Sequence, residues 1–591
     1  MTPSREFLTR GSTELGNNRN MMLALALSAL VILGWSFVSN KMFPPALPQT
    51  HKVEDGKVKP IANPASDSGV VAPTPAALRN LAQVLTESPR VAIRTPSLEG
   101  SINLKGARLD DLVMVRQSES INTGAKPVRL LSPAGARGSY FSQFGWAGQG
   151  IAVPDGNSVW TPSASTLIPG KPVTLSWTNP TGQRFEQIIA VDDGYLFTIK
   201  QRVANLSANA IALRSYGLVS RADKSADVTS WTSHVGPISY LDGIADYGVD
   251  WETLDEDKAG ITRDSRGGWL GFTDKYWLTA LVPASGAPVE ASLRKNGSGG
   301  YQADYAGQPF TVAPGQAVSN EVRLFAGAKE KKWLDTYETA GITKLSKSID
   351  WGWFEWFMRP IFDLLNWLFK MTGNFGVAII CLTFIVRLLM FPIADRGFRS
   401  MAAMKRIQPK MKALQERHKD DKPRQQQEIL KLYKDEKANP AAGCLPILLQ
   451  IPVFYALYKV LMVSVEMRHQ PFALWIKDLS AADPLTPVNL FGYLDFVPPG
   501  FLAIGVLPIL VGVTMWLQMR LNPAPMDPVQ QQVFAIMPVV MTVIMAPYAA
   551  GLLLYWCMSN ILTIAQQKWL YHRYDLKKDS DAEGAVPAHP V

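Results

Sequence analysis

The sequence predicts a polytopic α-helical membrane protein with six transmembrane helices and a large all-β sandwich domain outside the membrane. Three observations predict this fold class. The mean hydropathy is +0.02 over 591 residues, which indicates an average of an apolar part and a water-soluble part. Apolar runs long enough to span a bilayer are confined to residues 21–38 and to the region after residue 370. Between them, short β-rich runs alternate with turn residues.

Composition excludes several classes of protein. Hydrophobic residues make up 47% of the chain and Trp occurs 17 times, which excludes disorder as the main state. The three cysteines all fall in apolar runs of the C-terminal part, so disulfides are not expected to hold the fold together. The six histidines lack metal-ligand spacing, and no catalytic motif is present. We therefore expect no metal, no cofactor and no enzymatic activity.

The N-terminal segment predicts an uncleaved anchor. A tail at 1–20 that contains three arginines precedes the apolar run at 21–38. At about 1.5 Å per residue this run spans most of a hydrocarbon core about 30 Å thick. The alternative is a secretory signal peptide, but the run is long for one and no small-x-small cleavage site follows it. We expect the N-terminus to be cytoplasmic.

The next two segments predict a linker and a domain. Residues 41–85 are rich in Pro, Ala, Ser and Lys, as in an extended linker. Residues 86–345 predict one β-sandwich domain that ends with a helix at 328–340. Its clearest strands are 172–177, 195–200, 269–272 and 321–325.

Residues 351–370 predict an amphipathic helix at the membrane surface. Polar residues recur every three or four positions along one side, and Trp, Phe, Leu and Ile cover the rest. The alternative is a core helix of the β-domain. However, four tryptophans just before a span are typical of the aromatic belt at a membrane interface.

Five further apolar runs predict the remaining spans. The last two are separated by a predicted turn, because one helix of their combined length would far exceed a hydrocarbon core about 30 Å thick. The five spans are 375–392, 444–465, 501–519, 533–549 and 551–567.

The charges of the loops predict the topology. Residues 393–440 carry 13 Lys or Arg and seven acidic residues, which predicts a cytoplasmic loop. Residues 466–500 carry two basic and four acidic residues, which predicts an outer loop. With six spans both termini are cytoplasmic, including the tail 568–591, and the β-domain lies outside. This distribution accounts for the net charge of +9 without nucleic acid as a partner.

Arg387 is the principal candidate for a functional residue, because it lies inside the second predicted span. A cation that faces lipid there costs roughly 2.5–3.5 kcal/mol. Arg387 either extends to the cytoplasmic headgroups or faces a wet cavity. Polar residues in the spans favour the cavity, and the lack of a carboxylate there makes Arg387 a lone positive charge suited to a polar or negative passenger. The polar residues are Thr383, Gln450, Thr514, Gln518, Ser559, Asn560 and Thr563.

The cytoplasmic loop 393–440 predicts a helical hairpin. Met401, Met404 and Met411 belong to an apolar stripe on its first helix, and residues 429–433 contain a second stripe. The two stripes either pack on each other or offer an adaptable methionine-rich surface to varied apolar segments. The two interpretations do not exclude each other.

Several sequence motifs resemble those of the YidC membrane-protein insertases, the bacterial relatives of the mitochondrial Oxa and chloroplast Albino insertases. The resemblance covers residues 350–572 strongly, and the anchor and β-domain match the Gram-negative form in layout. The motifs are Thr383-Phe-Ile-Val-Arg387 with Phe391-Pro392, Met404-Lys-Arg-Ile-Gln-Pro-Lys410, Asn439-Pro-Ala-Ala-Gly-Cys444-Leu-Pro446, Gln470-Pro-Phe-Ala-Leu-Trp475-Ile-Lys-Asp-Leu-Ser480 and Met558-Ser-Asn560.

The resemblance implies a monomeric inner-membrane insertase and chaperone whose β-domain is a periplasmic supersandwich. Five core spans would enclose a polar groove that is open to the cytoplasm and to lipid and closed outside. Arg387 looks like the groove arginine, and Thr383, Phe454, Tyr555 and Trp556 match groove or substrate-contact positions. Trp556 stands where Tyr is usual in the family. Gln518 joins this set as a polar residue of the fourth span.

The resemblance also implies partners. They are nascent membrane proteins, the lipid bilayer and the Sec translocon with its accessory proteins. The ribosome is expected to bind only weakly, because the tail after Lys568 is short and of mixed charge. The alternative functions are a small-molecule transporter, for which the sequence shows no inverted repeat, and a membrane-anchored sensor.

Overall fold

The computed structural model describes residues 79–227, 233–257, 259–419, 421–436, 445–494, 503–521 and 528–583. The predicted N-terminal tail, the anchor at 21–38 and most of the linker at 41–85 lie outside the described residues.

Twenty strands in the described part form the all-β domain. They are β1 (Arg90–Arg94), β2 (Leu98–Asn103), β3 (Arg108–Ser118), β4 (Pro127–Leu131), β5 (Tyr140–Gly148), β6 (Thr161–Pro162), β7 (Thr166–Leu167), β8 (Val173–Thr178), β9 (Gln183–Val191), β10 (Leu196–Asn205), β11 (Ile211–Arg221), β12 (Gly236–Leu241), β13 (Ile244–Asp246), β14 (Ile261–Arg266), β15 (Trp269–Thr273), β16 (Trp277–Val282), β17 (Pro288–Lys295), β18 (Tyr301–Gly307), β19 (Phe310–Val312) and β20 (Ala317–Ala328). The four strand segments named from the sequence fall in β8, β10, β15 and β20.

The strands form two sheets. One has eleven strands in the order β14-β17-β18-β11-β5-β3-β2-β1-β7, with β19 paired to β11 and β4 to β3. The other has nine strands in the order β13-β12-β15-β16-β20-β10-β9-β8-β6. Neighbouring strands pair antiparallel, apart from the parallel pair β1 and β7. The prediction of a large all-β domain is confirmed.

The core of the β-domain lies between the two sheets, where large aromatic side chains interlock. The rings of Trp146 on β5 and Phe185 on β9 are 5.2 Å apart. Trp251, on a short helix, stacks on Phe272 of β15 at 5.5 Å. Aromatic pairs at such distances stabilise a core beyond the area they bury. Two short helices accompany the strands: α1 (Leu81–Thr86) and α2 (Trp251–Glu256).

Two helices lead from the β-domain to the membrane region. They are α3 (Lys331–Thr339), which lies within the predicted helix 328–340, and α4 (Glu355–Thr372), which overlaps the predicted surface helix. Gly373 ends α4 with a left-handed φ of 69°, and Asn374 begins the next helix by accepting a hydrogen bond from Val377 N at 3.1 Å. This pair of caps makes the reversal between the two helices tight.

Six helices follow. They are α5 (Phe375–Arg417), α6 (Lys422–Asp435), α7 (Leu445–Val463), α8 (Val506–Leu521), α9 (Pro528–Met545) and α10 (Ala550–Glu583). Helix α5 continues without a break from the second predicted span into the hairpin, whose second helix is α6. Helices α9 and α10 are separate, and α10 runs beyond the sixth predicted span.

The described membrane helices differ in length and hydropathy. Phe375–Met401 is long and apolar enough to cross a bilayer, and it is the one helix of the described residues that meets both criteria. Leu449–Val463, Val506–Leu521 and Gln531–Met545 are apolar but shorter. The number of helices is compatible with the predicted spans.

Candidate functional site

Helix α10 is the common neighbour of the other helices that carry the candidate site. It packs against α5, α7 and α8. The side of α10 that meets them carries buried polar side chains, which are Ser559, Asn560, Thr563 and Gln567. Polar groups buried between helices stay there at low cost only when they form hydrogen bonds.

Arg387 meets this polar side of α10. Its Nη2 donates a hydrogen bond to Ser559 Oγ. Its Nε is buried and has no hydrogen-bond partner among the described residues. No ion pair to Arg387 occurs in the described part of the chain, and its span contains no Asp or Glu. The arginine is therefore held by one hydroxyl group and keeps donor capacity for a further acceptor.

Two more polar pairs join α10 to its neighbours. Gln450 Nε2 on α7 donates to Tyr555 Oη, while Gln450 Oε1 is buried without a partner among the described residues. Asn560 Nδ2 donates to Thr514 Oγ1 on α8 at 3.0 Å. Together with Arg387, these pairs form a set of polar contacts that links four helices.

The aromatic candidates also come together. Phe454 on α7 and Trp556 on α10 pack edge to face, with ring centroids 4.8 Å apart and an interplanar angle of 73°. Tyr555, beside Trp556, is buried. The structure thus places Phe454, Tyr555 and Trp556 at the contact of α7 with α10.

Two predicted site residues do not share in these contacts. Thr383 is buried, and its hydroxyl donates to Ile379 O of its own helix at 2.7 Å. Gln518 is half-buried on α8, one turn beyond Thr514. Among the described residues, neither side chain forms a hydrogen bond with Arg387 or with its partner Ser559, so their roles stay predictions.

The helices present apolar side chains on their outward sides. Phe384, Leu388 and Leu389 on α5 are exposed, close in sequence to Arg387. Helices α8 and α9 expose a similar series, which includes Val513, Leu517, Val539 and Val543. Such extended apolar surfaces are typical of contact with lipid. The polar set therefore lies within a bundle whose outside is apolar.

The hairpin methionines fall into two clusters. Met411 is buried and lies in a cluster with Ile407, against which Met404 and residues of α6 pack. Met401 packs against a separate cluster that contains Phe398 and Leu570 of α10. Packing within the protein thus explains why residue 411 is apolar, whereas the side chains of Met401 and Met404 are partly exposed.

Another span of the described part contains a buried cation, Lys459. Lys459 lies on α7 within the predicted span 444–465, and its Nζ is 3.6 Å from Asp350 Oδ2. The spans thus contain a cation besides Arg387, and Arg387 remains without a carboxylate partner among the described residues. The signal was present in the sequence, because Lys459 interrupts an apolar run. The two differ in that Lys459 has a carboxylate partner.

The loop between α7 and α8 covers one end of the bundle. Asn374 Nδ2, at the start of α5, donates to Phe472 O at 2.9 Å. Gly551 N, at the start of α10, donates to Leu479 O at 2.9 Å. The side chain of Asp483 accepts a hydrogen bond from Leu507 N, in the first turn of α8. The loop thus joins the beginnings of three helices. Phe472 and Leu479 belong to the motif 470–480 that carries the family resemblance, but the sequence predicted no role for them or for Asp483.

The same loop also contacts the β-domain. Glu466 Oε1 accepts a hydrogen bond from Lys331 N at 2.7 Å, and burial raises the pKa of this carboxyl. Arg468 Nη1 donates to Ser118 O at 2.7 Å, and its guanidinium lies 5.3 Å from the ring centroid of Trp277. No group of side chains suited to a metal ion occurs among the described residues.

Two protein-family models match the chain. The model described as the YidC periplasmic domain matches residues 90–364, and the model described as the 60Kd inner membrane protein matches residues 367–578. Together they cover the β-domain, the surface helix and the membrane helices.

Curated proteins match over nearly the whole chain. The membrane protein insertase YidC of Zymomonas mobilis is 44% identical, with 95% of this chain and 96% of that protein covered. The membrane protein insertase YidC of Rhizobium etli is 43% identical, with the same coverage. A crystal structure of an active YidC insertase with its first transmembrane domain resolved is 17% identical, covers 81% of this chain and 92% of that chain, and has a TM-score of 0.36.

Proposed function

The chain belongs to the YidC family of membrane protein insertases, and on this basis we propose that the polar contacts around Arg387 mark the groove that receives a substrate. The protein is an inner-membrane insertase with a periplasmic β-domain, and its substrates are membrane proteins. It is not an enzyme. The proposal concerns which residues meet the substrate and how.

The incomplete hydrogen bonding of Arg387 is the observation that carries the proposal. Arg387 is half-buried, and a guanidinium with a buried, unpaired Nε and no carboxylate partner is costly; here one hydroxyl group offsets part of that cost. A polar segment of a substrate would supply further acceptors to Nε and the remaining N–H groups. Gln450 Oε1, also buried without a partner among the described residues, offers an acceptor to a substrate N–H.

These polar groups lie within a bundle whose outside is apolar. This arrangement supports one route for the polar segment of a substrate and another for its hydrophobic segment. Polar contacts inside the bundle shorten the hydrocarbon path that a polar segment must cross. The exposed apolar side chains of α5, such as Leu388 and Leu389, allow the hydrophobic segment to pass along the outside into lipid. Burial of an apolar helix of about 20 residues releases far more free energy than a short polar terminus costs, so no nucleotide is required.

The proposal extends to topology and partners. The protein spans the membrane six times, with both termini and the hairpin 393–440 in the cytoplasm, and works as a monomer. It inserts substrates alone or together with the Sec translocon. The ribosome binds weakly through the C-terminal tail. Family membership and the loop charges support this arrangement.

Purified protein in liposomes tests the proposal. A short single-span substrate is added without nucleotide, and insertion is measured as protection from protease. We expect wild type to insert the substrate and Arg387→Ala to insert much less. Lys412→Ala is the matched control, because Lys412 is an exposed cation farther along the same helix. Equal insertion by wild type, Arg387→Ala and empty liposomes would contradict the proposal.

A further inference from the structure

Residues 484–494 form an uncharged turn in the loop between α7 and α8, which we name the apolar turn. Its sequence, Pro-Leu-Thr-Pro-Val-Asn-Leu-Phe-Gly-Tyr-Leu, contains no Asp, Glu, Lys or Arg. Five large apolar side chains of the turn are exposed, by between 41% and 90% of their surface. They are Val488, Leu490, Phe491, Tyr493 and Leu494. So dense an exposed apolar cluster indicates a surface that is covered in the working protein.

Several backbone N–H groups of the apolar turn form hydrogen bonds within the turn. Phe491 N donates to Thr486 O at 2.9 Å, and Leu494 N donates to Asn489 O at 3.1 Å. Non-helical backbone enters lipid only at high cost when its polar groups are unpaired. These internal bonds lower that cost.

Two residues of the turn adopt a conformation that favours glycine. Leu490 and Phe491 have φ angles of 48° and 58°. Gly or Asn would form the same turn with less strain. Large apolar side chains at these two positions therefore require a reason other than the turn itself.

The apolar turn is fixed at the beginning of α8. Val506 N donates a hydrogen bond to Leu485 O at 2.9 Å, next to the contact of Asp483 with the same end of the helix. Farther along α8, Leu510, Val513 and Leu517 are exposed. The exposed side chains of the turn are thus adjacent to the end of a helix whose own exposed side is apolar.

We propose that the apolar turn inserts into the outer leaflet of the bilayer and anchors the outer end of α8 there. Interfacial segments of this kind reach about 5–10 Å into the boundary between headgroups and acyl chains. The ring of Tyr493, with its hydroxyl group, suits the headgroup level. The proposal rests on the outer location of this loop, and it is independent of the groove around Arg387.

Lipid quenching of a fluorescent label tests the inference. In a chain whose Cys381, Cys444 and Cys557 are replaced by Ala, a single cysteine at Leu490 or Tyr493 is labelled with an environment-sensitive dye. The protein is placed in liposomes of phosphatidylethanolamine and phosphatidylglycerol that contain a lipid spin-labelled near the headgroup end of its acyl chain. Leu206→Cys is the matched control, because Leu206 is an exposed leucine of the β-domain.

We expect the labels at 490 and 493 to be quenched several-fold more strongly than the label at 206. Equal quenching at all three positions would overturn the inference. Blue-shifted emission at 490 without lipid quenching would also overturn it, since the turn would then contact protein instead of lipid. Wild type with a photoreactive phospholipid provides a second measurement that needs no cysteine change. Adducts are expected on peptides that contain 488–494, and their absence there would contradict the inference.

Discussion

Asp483 Oδ2 accepts a hydrogen bond from the backbone N–H of Leu507 at 2.7 Å, in the first turn of α8. Its other oxygen, Oδ1, accepts hydrogen bonds from Trp475 Nε1 and Leu485 N, both at 3.0 Å. A carboxylate at a helix N-terminus satisfies an otherwise unpaired donor and interacts favourably with the helix dipole. One buried side chain thus fixes the shape of the loop and its attachment to the membrane helices.

We predict that Asp483→Ala destabilises the protein more than Asp483→Asn. The alanine leaves Leu507 N and Trp475 Nε1 without their acceptor, which costs about 1–3 kcal/mol for each buried donor, whereas Asn retains one acceptor oxygen. Thermal unfolding in detergent measures the difference. Asp264→Ala, an exposed position of β14, is the control and is expected to match wild type. Identical unfolding temperatures for both Asp483 variants would contradict the prediction.

We predict that Arg387→Lys retains much of the insertion activity and that Arg387→Ala loses more. Lys keeps the positive charge although it lacks the paired donors of Arg, and charge in a site of low dielectric is the main attraction for a polar passenger. The Arg387→Ala change should lower insertion most for substrates with added acidic residues ahead of their span. The assay compares neutral and acidic versions of one substrate at matched protein levels. If Arg387→Ala inserts both substrate versions as well as wild type does, the positive charge of Arg387 has no role in insertion.

We predict a pH dependence that arises from Lys329, at the end of the β-domain. Its Nζ is buried and donates to Thr273 Oγ1 and Asp274 O, and burial lowers its pKa to about 8. Between this value and the ordinary value of 10.5, the unfolded chain binds more protons at Lys329 than the folded chain does. The contribution of Lys329 to the free energy of unfolding therefore rises with pH in this window.

Lys329→Met isolates this contribution, because Met does not titrate. The free energy of unfolding of the variant minus that of wild type should fall by up to about 3 kcal/mol as pH rises from 8 to 10.5. Denaturant unfolding of both proteins at a series of pH values measures it. A difference that stays constant across this range would show that the ammonium group does not lose its proton in the folded state there.

We predict that residues 86–345 fold alone without disulfides. The segment contains no cysteine, and its two sheets enclose a continuous aromatic and aliphatic core. The fragment should be soluble and should unfold cooperatively in denaturant, with the same midpoint in the presence and absence of a reducing agent. A gradual, non-cooperative transition would contradict the prediction.

We predict that protease added from the periplasmic side cleaves the β-domain or its linker and spares the hairpin 393–440. The charge difference between the two loops is the physical reason. Spheroplasts treated with protease provide the test, with detergent-lysed cells as the control in which the hairpin is also cleaved. Cleavage within 393–440 in intact spheroplasts would refute the topology.

The strands and the membrane helices could be predicted because local patterns determine them. The segment at 172–177 shows the composition of a strand, and β8 occupies Val173–Thr178. Arg387 was identifiable because a cation in an apolar membrane span is costly whatever the arrangement of the helices around it. Its partner Ser559 lies 172 residues away, and such a pairing depends on how helices pack. Asp483 was not identifiable, because only the loop conformation distinguishes it from an ordinary surface carboxylate.

Helix α5 carries both Arg387 and the hairpin residue Met411, so one helix runs without a break from the candidate site into the hairpin. At the rise of an α-helix, the two residues are about 36 Å apart along the axis. Pro392 and Pro409 both lie between them within the helix. Each lacks the N–H of an ordinary residue and removes one backbone hydrogen bond, so the helix bends more easily at these two positions than elsewhere along this length.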